Sequence, residues 1–287
     1  MRPHPMIVFF ALLGFGALGV LYAQKEFREY PGQSNVSLPR DWREPHEWVW
    51  ARLRYSDGGG GFGGFGGGGF GGGGGRRGGG GGGRWGAWAT DYSKGDRILV
   101  SALKRLTLLD TRSVEQTVDM DGSDDAYNWP FLYAVEVGRW NLSDAEAKQL
   151  RDFINRGGFF MVDDFHGDSQ WESFMASFEK VFPDRDVIDI PDEDAINGTV
   201  FDLNPRKQIP GAQFMRSGVT YEQPNDHGYP AHWRGVYDDK KRLVAVMTHN
   251  SDLGDAVEYA DDPQYPEQFA QAAFRVLSNY AVYDLTH

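Results

Sequence analysis

Apolar residues recur along the chain with two alternating periods, which predict an alternation of strands and helices. Helices are predicted from apolar stripes at helical spacing, over residues 96–109, 143–155, 169–182 and 267–283, and Ser143 and Glu146 predict a capping box at the start of the second. Strands are predicted from short apolar or partly alternating runs, over residues 48–55, 114–118, 131–135, 159–162, 187–190 and 243–247. Residues 191–236 are rich in Pro, Gly and Asn, and only short elements are expected there. The alternation predicts an α/β fold, a mostly parallel sheet with helices on both faces.

The clearest pattern lies between residues 156 and 168, which read Arg-Gly-Gly-Phe-Phe-Met-Val-Asp-Asp-Phe-His-Gly-Asp. The two glycines fit the end of a helix, because Gly adopts the left-handed conformation found just past a helix. Phe159 to Val162 has no polar face, which is typical of a strand covered on both sides. Ligand sites in open α/β sheets lie just beyond the carboxyl ends of such strands. Asp163, Asp164 and His166 follow this strand and are therefore candidate site residues.

Parallel strands bring their carboxyl ends to one edge of the sheet, so polar residues after the other strands are expected to converge there. These residues are Asp57 after the first strand, Asp119 and Asp121 after the second, Glu136 after the third, and His249, Asn250 and Asp252 after the last, with Glu258 close behind. The sequence therefore predicts an acidic cleft with two imidazoles at one edge of the sheet.

Three hypotheses for this cleft stay open. A divalent cation is the first, because Asp oxygens and His nitrogens bind such ions, although no spacing matches a recognised metal motif. The second is hydrolysis, with Asp164 or His166 as general acid, base or nucleophile. The third is structural, with Asp163 and Asp164 capping the following helix and accepting from loop amides. His227 and His232 lie in the irregular segment and are expected to be solvated.

Composition narrows the classes of function. Among 287 residues, 40% are hydrophobic and nine are Trp, which is ample for a core. The net charge of −12 argues against general nucleic-acid binding, which requires a basic surface. The sequence contains no Cys, which excludes disulfides, thiolate metal ligands and Cys nucleophiles. It also contains no Gly-x-Ser-x-Gly motif, so a serine nucleophile is not favoured.

The first residues predict export from the cytoplasm. Arg2 and His4 precede an apolar run over residues 6–22, and Ala23 stands at a plausible cleavage point. Residues 1–23 are therefore predicted to be a cleaved signal peptide, or an N-terminal membrane anchor, since the apolar run is near the shortest length that spans a bilayer. In both cases the domain is expected outside the cytoplasm, either periplasmic or anchored to the inner membrane.

Composition also divides the rest of the chain. Residues 24–47 are polar, contain three Pro and predict an extended leader, and residues 48–287 predict one α/β domain. Residues 58–84 interrupt this domain with Gly, a few Phe and Arg, and no other residue type. Such a tract buries too little apolar surface to offset the entropy of ordering, so a flexible inserted loop is predicted.

Five motifs in a fixed order carry a resemblance to a known family. They are Ala-Arg-Leu-Arg-Tyr at 51–55, Thr-Asp-Tyr at 90–92, Trp-Pro-Phe-Leu-Tyr at 129–133, the stretch from Gly157 to Gly167, and His-Asn-Ser-Asp-Leu-Gly-Asp-Ala at 249–256. Over about residues 48–285 the chain resembles the bacterial family called domain of unknown function 4159. That family looks like a branch of the class I glutamine amidotransferase-like, flavodoxin-like architecture.

The resemblance implies a position for the site and removes one chemistry. In the amidotransferase-like architecture a nucleophile sits at the sharp turn after a central strand, which corresponds here to Val162-Asp163-Asp164. The Cys of amidotransferases has no counterpart in this sequence, so glutaminase chemistry is not expected. An altered hydrolase or a non-catalytic binding domain remains.

We therefore expect a binding or scaffolding module of the bacterial cell envelope that uses the acidic cleft. The candidate binding residues are Asp163, Asn250, Asp252, Glu258 and Asp57. The alternative is a hydrolase, with or without a metal, whose candidate catalytic residues are Asp164, His166 and His249. The cofactor stays open, with a divalent cation as the candidate.

The expected partner is an envelope protein or a small ligand. Nucleic acid is not expected, and membrane contact requires that residues 6–22 remain as an anchor. One geometric criterion separates the two functions: an enzyme should bring Asp164 or His166 within hydrogen-bond reach of His249 or Glu258.

Overall fold

The computed structural model describes residues 26–30, 37–56, 86–222 and 230–287 of the chain. The predictions for the export signal, the Gly-rich tract, Asp57 and His227 lie outside these residues. Within the described ranges, no helix is long and apolar enough to cross a membrane.

One sheet organises the described part of the chain and confirms the mostly parallel α/β fold. Its strands are β1 (Ala51–Arg54), β2 (Gln116–Asp119), β3 (Phe131–Val135), β4 (Phe159–Asp163), β5 (Ile188–Asp189), β6 (His232–Tyr237) and β7 (Leu243–His249). Their order across the sheet is β2-β1-β3-β4-β7-β6-β5. The four pairings that join β2, β1, β3, β4 and β7 are parallel. With β7 counted as the fifth strand, this part has the strand order 2-1-3-4-5 of flavodoxin-like folds. Strand β6 runs antiparallel to both of its neighbours.

Helices cover both faces of the sheet. They are α1 (Lys94–Leu106), α2 (Asp144–Asn155), α3 (Gly167–Val181), α4 (Phe214–Ser217), α5 (Leu253–Glu258) and α6 (Glu267–Thr286). Helices α1, α5 and α6 contact one another on one face, and α2 packs beside α3 on the other. Along β3, Phe131 and Tyr133 point to the first face, whereas Leu132 and Ala134 point to the second. Both faces are buried, which explains why the central strands lack a polar side.

Local signals account for the elements that were predicted most closely. Helix α2 begins with the predicted capping box, in which Ser143 and Glu146 each accept from the other's backbone N–H. It ends before Gly157, whose φ of 112° suits Gly alone. The ring of Phe153 occupies the space that a Cβ at Gly158 would need, so the chain turns directly from the helix into β4.

The sequence prediction was wrong at the antiparallel edge of the sheet. Strand β6 lies in the segment where only short elements were expected, and it forms a hairpin with β7. Its first residue, His232, was expected to be solvated, but it is partly buried and its ring stacks on His249 at 5.6 Å. The pairing with β7, and not a local pattern, makes this segment a strand.

The beginning of the domain also differs from the prediction. Strand β1 starts at Ala51, because Trp48 makes only an isolated bridge with Thr111. Tyr30, in the predicted leader, is buried against Trp88 and Tyr92. Part of the leader therefore contributes to the core of the domain.

Candidate functional site

Three parallel strands end in residues with left-handed backbone. Glu136, Asp164 and Asn250 follow β3, β4 and β7 with φ values of 54°, 54° and 63°. This conformation is uncommon outside Gly, and such strained residues cluster at functional sites. The Asp164 amide donates to the carbonyl of Ser251 at 3.3 Å, so the turns after β4 and β7 are joined. The sharp turn predicted after the central strand is therefore present, with Asp164 at its apex.

Asp163 is engaged entirely inside the protein, but the helix that it caps is α5 and not the following helix α3, which the structural hypothesis named. Its carboxylate is fully buried, and Oδ2 accepts from the amides of Leu253 and Gly254 at 2.9 and 3.0 Å. The hydroxyl of Tyr133 donates to the same oxygen, and that of Thr248 donates to Oδ1. These bonds satisfy amides at the start of α5 that have no partner within the helix. Asp163 thus positions α5 against the end of β4.

Asp164 and His166 form a buried pair. The Nε2 atom of His166 lies 3.1 Å from Asp164 Oδ1 and 3.8 Å from Glu222 Oε2. Burial by itself lowers the pKa of His166, but the charges of Glu222 and Asp164 raise it to about 9. His166 therefore carries a positive charge at neutral pH. Its Nδ1 atom is buried, and no described residue binds it.

His249 does not join this pair. Its Nε2 donates to the carbonyl of Gly167 at 3.0 Å, and its ring lies 5.0 Å from the rings of Phe165 and Trp171. Burial lowers the pKa of His249 to about 3, so the ring is neutral. Among the described residues, no hydrogen bond or ion pair connects His249 to Asp164 or His166.

Asn250 also supports the turn after β4. Its Oδ1 accepts from the amide of Gly167 at 2.8 Å, and its Nδ2 donates to the carbonyl of Pro230 at 2.8 Å. The amide of Asn250 donates to the carbonyl of Phe165. His249 and Asn250 both bind Gly167, the first residue of α3, and thereby hold the start of that helix against β7.

The structure adds a carboxylate that the strand-end argument missed. Asp91 lies before α1 with a φ of 61°, and it is buried. One oxygen from each of Asp91, Asp164 and Asp252 lies within 4.8 Å of the others. We call these three residues the inner acid group. Asp91 follows a short 3-10 helix and not a strand, so only the Thr-Asp-Tyr motif of the family resemblance could have marked it.

A second group of acids shares Asp91 with the first. One oxygen from each of Asp91, Asp255 and Glu258 also lies within 4.8 Å of the others. We call these three residues the outer acid group, because Asp255 and Glu258 are only partly buried. The predicted residues Asp164, Asp252 and Glu258 are thus brought together, and Asp91 links them. Asp255 and the nearby Glu222 were not among the predicted site residues.

Glycines make room for this concentration of charge. A Cβ at Gly254 would collide with Asp91 Oδ2. At Gly211 a Cβ would collide with Asp252 Oδ2, and it would lie 2.8 Å from Glu222 Oε1. The backbone therefore approaches the carboxylates as closely as it can at both positions.

Asp91 is the least compensated of these acids. Both of its carboxylate oxygens are buried, and no hydrogen-bond donor among the described residues reaches them. Burial raises the pKa of Asp91 well above its usual range, and the charges of Asp255, Glu258 and Asp164 raise it further. Burial and neighbouring carboxylates raise the pKa of Asp164 and of Asp252 in the same way. The two acid groups therefore favour a bound proton or a bound cation, because Arg52 and His166 compensate their charge only in part.

A buried arginine holds the loop that carries Asp91. The Nη1 atom of Arg52 donates to the carbonyls of Trp88 and Thr90 at 3.0 and 2.7 Å. Its Nη2 atom lies 2.9 Å from Asp96 Oδ1. Arg52 thus fixes the residue before Asp91, but the nearest carboxylate that it pairs with is Asp96.

Comparison with known proteins identifies the family. Residues 81–285 match the family model described as Domain of unknown function (DUF4159). The chain belongs to this family. The match covers β2 to β7 and every member of both acid groups, and it confirms the resemblance seen in the sequence motifs. A search of curated proteins found no match.

The spacing of the oxygens in this DUF4159 domain suits a divalent cation. Oxygens that bind one Ca²⁺ at up to about 2.6 Å lie at most about 5.2 Å apart, and the oxygens of the inner acid group lie within 4.8 Å of one another. Carboxylates are the hard oxygen ligands that Ca²⁺, Mg²⁺ and Mn²⁺ prefer. Asp91, Asp164 and Asp252 are therefore able to hold such an ion.

Proposed function

We propose that this protein is a cation-dependent binding module of the bacterial cell envelope. In this proposal the inner acid group holds a divalent cation, and a ligand oxygen completes its coordination. The supporting observation is the Asp91 carboxylate, which is buried, has no donor among the described residues and faces two further buried carboxylates. Burying unpaired carboxylates costs several kcal/mol, and a bound cation offsets that cost.

The location in the envelope is proposed from the sequence. The basic start and apolar run of residues 1–23 support export, as either a cleaved signal or an anchor. The partner is then an envelope protein or a small ligand that presents an anionic oxygen to the cation. The net charge of −12 makes a bound cation the natural means of attracting such an anion.

Two contacts favour binding over catalysis. Asp163, beside the expected nucleophile position, is occupied by amides and hydroxyls. His249 is turned into an aromatic cluster and does not reach Asp164 or His166. The geometric criterion for an enzyme is therefore not met through His249.

A metal-assisted hydrolase is the second candidate. The strained turn at Asp164 and the 3.1 Å contact between Asp164 and His166 favour it, because both place a charged pair at the apex of the site. A bound cation would supply Lewis acidity and lower the pKa of a coordinated water. His166 would stabilise negative charge, since its raised pKa keeps it protonated.

Thermal unfolding of the full-length protein tests the cation. Ca²⁺ at 100 times its dissociation constant should stabilise the protein by about 2.7 kcal/mol relative to EDTA. Asp91→Asn should abolish this shift, and Asp186→Asn, which changes an exposed carboxylate, should retain it. If neither Ca²⁺, Mg²⁺ nor Mn²⁺ shifts the unfolding of the unaltered protein, the proposal is wrong.

A panel of ester, phosphoester and peptide substrates, assayed with the cation present, separates the two candidates. Binding without catalysis predicts no turnover. Turnover that is lost in Asp164→Asn and kept in Asp186→Asn would establish the hydrolase instead.

A further inference from the structure

We infer that the cleft holds two divalent cations bridged by Asp91, one in the inner acid group and one in the outer. The inference rests on the proposed function, because it adds a second cation beside the first. The second cation would be held by Asp91, Asp255 and Glu258, whose oxygens lie within 4.8 Å of one another.

Asp91 has the properties that a bridging ligand requires. A carboxylate joins two cations by giving one oxygen to each, so both of its oxygens must be available. Asp91 is only 5% exposed, and neither of its oxygens has a hydrogen-bond donor among the described residues. Both oxygens are therefore available to cations. Asp91 is also the only residue common to the two acid groups found in the described part of the chain.

Helices α1 and α5 lie next to Asp91, and α5 supplies the other two residues of the outer acid group. Asp255 and Glu258 are three residues apart on α5, so they lie on one face of that helix. Gly254 of α5 allows that helix to approach Asp91, because a Cβ there would collide with Asp91 Oδ2, and a Cβ at Gly95 of α1 would be in ordinary contact with Glu258 Cβ at 3.7 Å. The close approach of α1 and α5 brings Glu258 to Asp91.

The number of acids in the cleft favours more than one cation. The two groups together contain five carboxylates, of which one divalent cation compensates two charges and a pair compensates four. Among the described basic residues nearby, His166 pairs with one of these five, Asp164, whereas Arg52 and Lys94 form their ion pairs with Asp96 and Asp261, outside the two groups. The charges of Lys94 and Arg52 still favour the ionised form of Glu258 and lower its pKa in part. A second cation compensates the carboxylates that these residues leave unpaired.

A shared proton is the competing explanation for the outer group. Asp91 and Glu258 are close enough to form a hydrogen bond when one of them is protonated. A protonated pair needs no cation, and it predicts that the outer group is indifferent to metal. The number of bound cations distinguishes these two states.

The test is the stoichiometry of Mn²⁺ bound to the full-length, EDTA-treated protein, measured by equilibrium dialysis with elemental analysis. The unaltered protein should bind two Mn²⁺ per chain. Glu258→Gln and Asp164→Asn should each reduce the number to one, and Asp91→Asn should weaken both sites at least tenfold. Glu179→Gln, on the exposed surface of α3, is the matched control and should bind two.

Electron paramagnetic resonance gives a second readout. Two Mn²⁺ ions that share Asp91 would lie about 4 Å apart and be magnetically coupled. The coupled signal should be replaced by that of an isolated ion in Glu258→Gln. Unfolding in EDTA checks that each variant is folded.

The outcomes separate this inference from the proposed function. One Mn²⁺ per chain, unchanged in Glu258→Gln, overturns the second site and leaves the proposed function intact. No bound Mn²⁺ overturns both. Two Mn²⁺ that stay uncoupled and survive Glu258→Gln place the second ion elsewhere and also overturn the inference.

Discussion

Two buried charged regions lie side by side on one face of the sheet, and they differ in how far opposite charges and hydrogen-bond donors compensate them. Around Arg52 opposite charges are paired: Asp96 Oδ1 accepts from Arg52 and from the indole of Trp50, and two backbone carbonyls accept from the guanidinium. Of these side chains, only Asp96 has an atom, Oδ2, that is buried without a hydrogen-bond partner among the described residues. Around Asp91 carboxylates face carboxylates, and no described donor reaches its oxygens.

The two regions are joined, which makes the difference informative. Arg52 binds the carbonyl of Thr90, the residue next to Asp91, so the same arginine that neutralises Asp96 also fixes the Asp91 loop. The fold therefore positions Asp91 where its oxygens have no hydrogen-bond donor among the described residues. Buried charges are normally paired, and an unpaired group that is held in place points to a partner from outside the chain.

The largest expected effect comes from breaking the compensated region. Arg52→Met should lower the free energy of unfolding by about 3–5 kcal/mol, because it removes the cation that pairs with the buried carboxylate of Asp96, leaves only the Trp50 indole as its donor, and leaves two carbonyls without donors. Arg54→Met is the matched control on the same strand. Its pair with Asp119 is about one-third exposed, so a loss below about 1 kcal/mol is expected. Urea unfolding in EDTA measures both, and equal losses would remove the distinction.

A substitution in the region around Asp91 is expected to raise the free energy of unfolding and not to lower it. Asp91→Asn should raise the free energy of unfolding in EDTA by about 1–3 kcal/mol, because it removes a buried carboxylate that has no donor among the described residues. The same variant should be less stable than the unaltered protein when Ca²⁺ is saturating. Urea unfolding with and without Ca²⁺ checks the reversal, and destabilisation in EDTA would mean that Asp91 is already compensated.

Asp284 provides an intermediate case, a largely buried acid with a single donor. Trp48 Nε1 donates to it at 3.1 Å, and burial raises its pKa to about 7. The folded-state pKa of Asp284 exceeds the unfolded value of about 3.9, so the contribution of this residue to stability is greatest below pH 4 and is lost as the pH rises to 7.

Asp284→Asn keeps an acceptor for Trp48 and removes this titration. We expect a gain of about 1–2 kcal/mol at pH 8 over the unaltered protein, reduced from the full linkage value because Asp284 is partly exposed. Below pH 4 the two proteins should be equally stable. Unfolding measured between pH 4 and pH 8 tests this, and parallel curves would contradict the assignment.

The smallest effect is expected where charges are solvated. Lys94 and Asp261 lie 3.0 Å apart, with 28% and 69% of their side chains exposed. Lys94→Met should change the free energy of unfolding by less than about 0.5 kcal/mol, because exposed ion pairs contribute little. A larger loss in EDTA would show that Lys94 helps to compensate Glu258, and the charge argument for a second cation would weaken.

Much of the fold followed from local sequence. The bounds of β3 and the capping box of α2 were predicted as they stand, because a fully apolar run and a contact three residues apart are local signals. The strand-end rule placed Asp164, Asp252 and Glu258 at one edge of the sheet, where the structure brings them to Asp91. The parallel order of the strands is sufficient for that result.

Other features depended on contacts between distant segments. Strand β6 was missed, since it is held by pairing with β7 and not by its own pattern. His249 is the last residue of β7, and its imidazole packs against Phe165 and Trp171, because a residue's position at the end of a strand does not set the direction of its side chain.

The sequence by itself determined that acidic residues would lie together beyond β4, because hydrophobic periodicity and strand ends are set by residues that are close in sequence. Only the tertiary structure decided which acids carry the site. Asp163, the first acid of the pair, is satisfied by α5, and Asp91, 73 residues before Asp164, takes its place beside it. That exchange depends on Arg52 and on the close approach of α5 to Asp91 at Gly254, which no local pattern specifies.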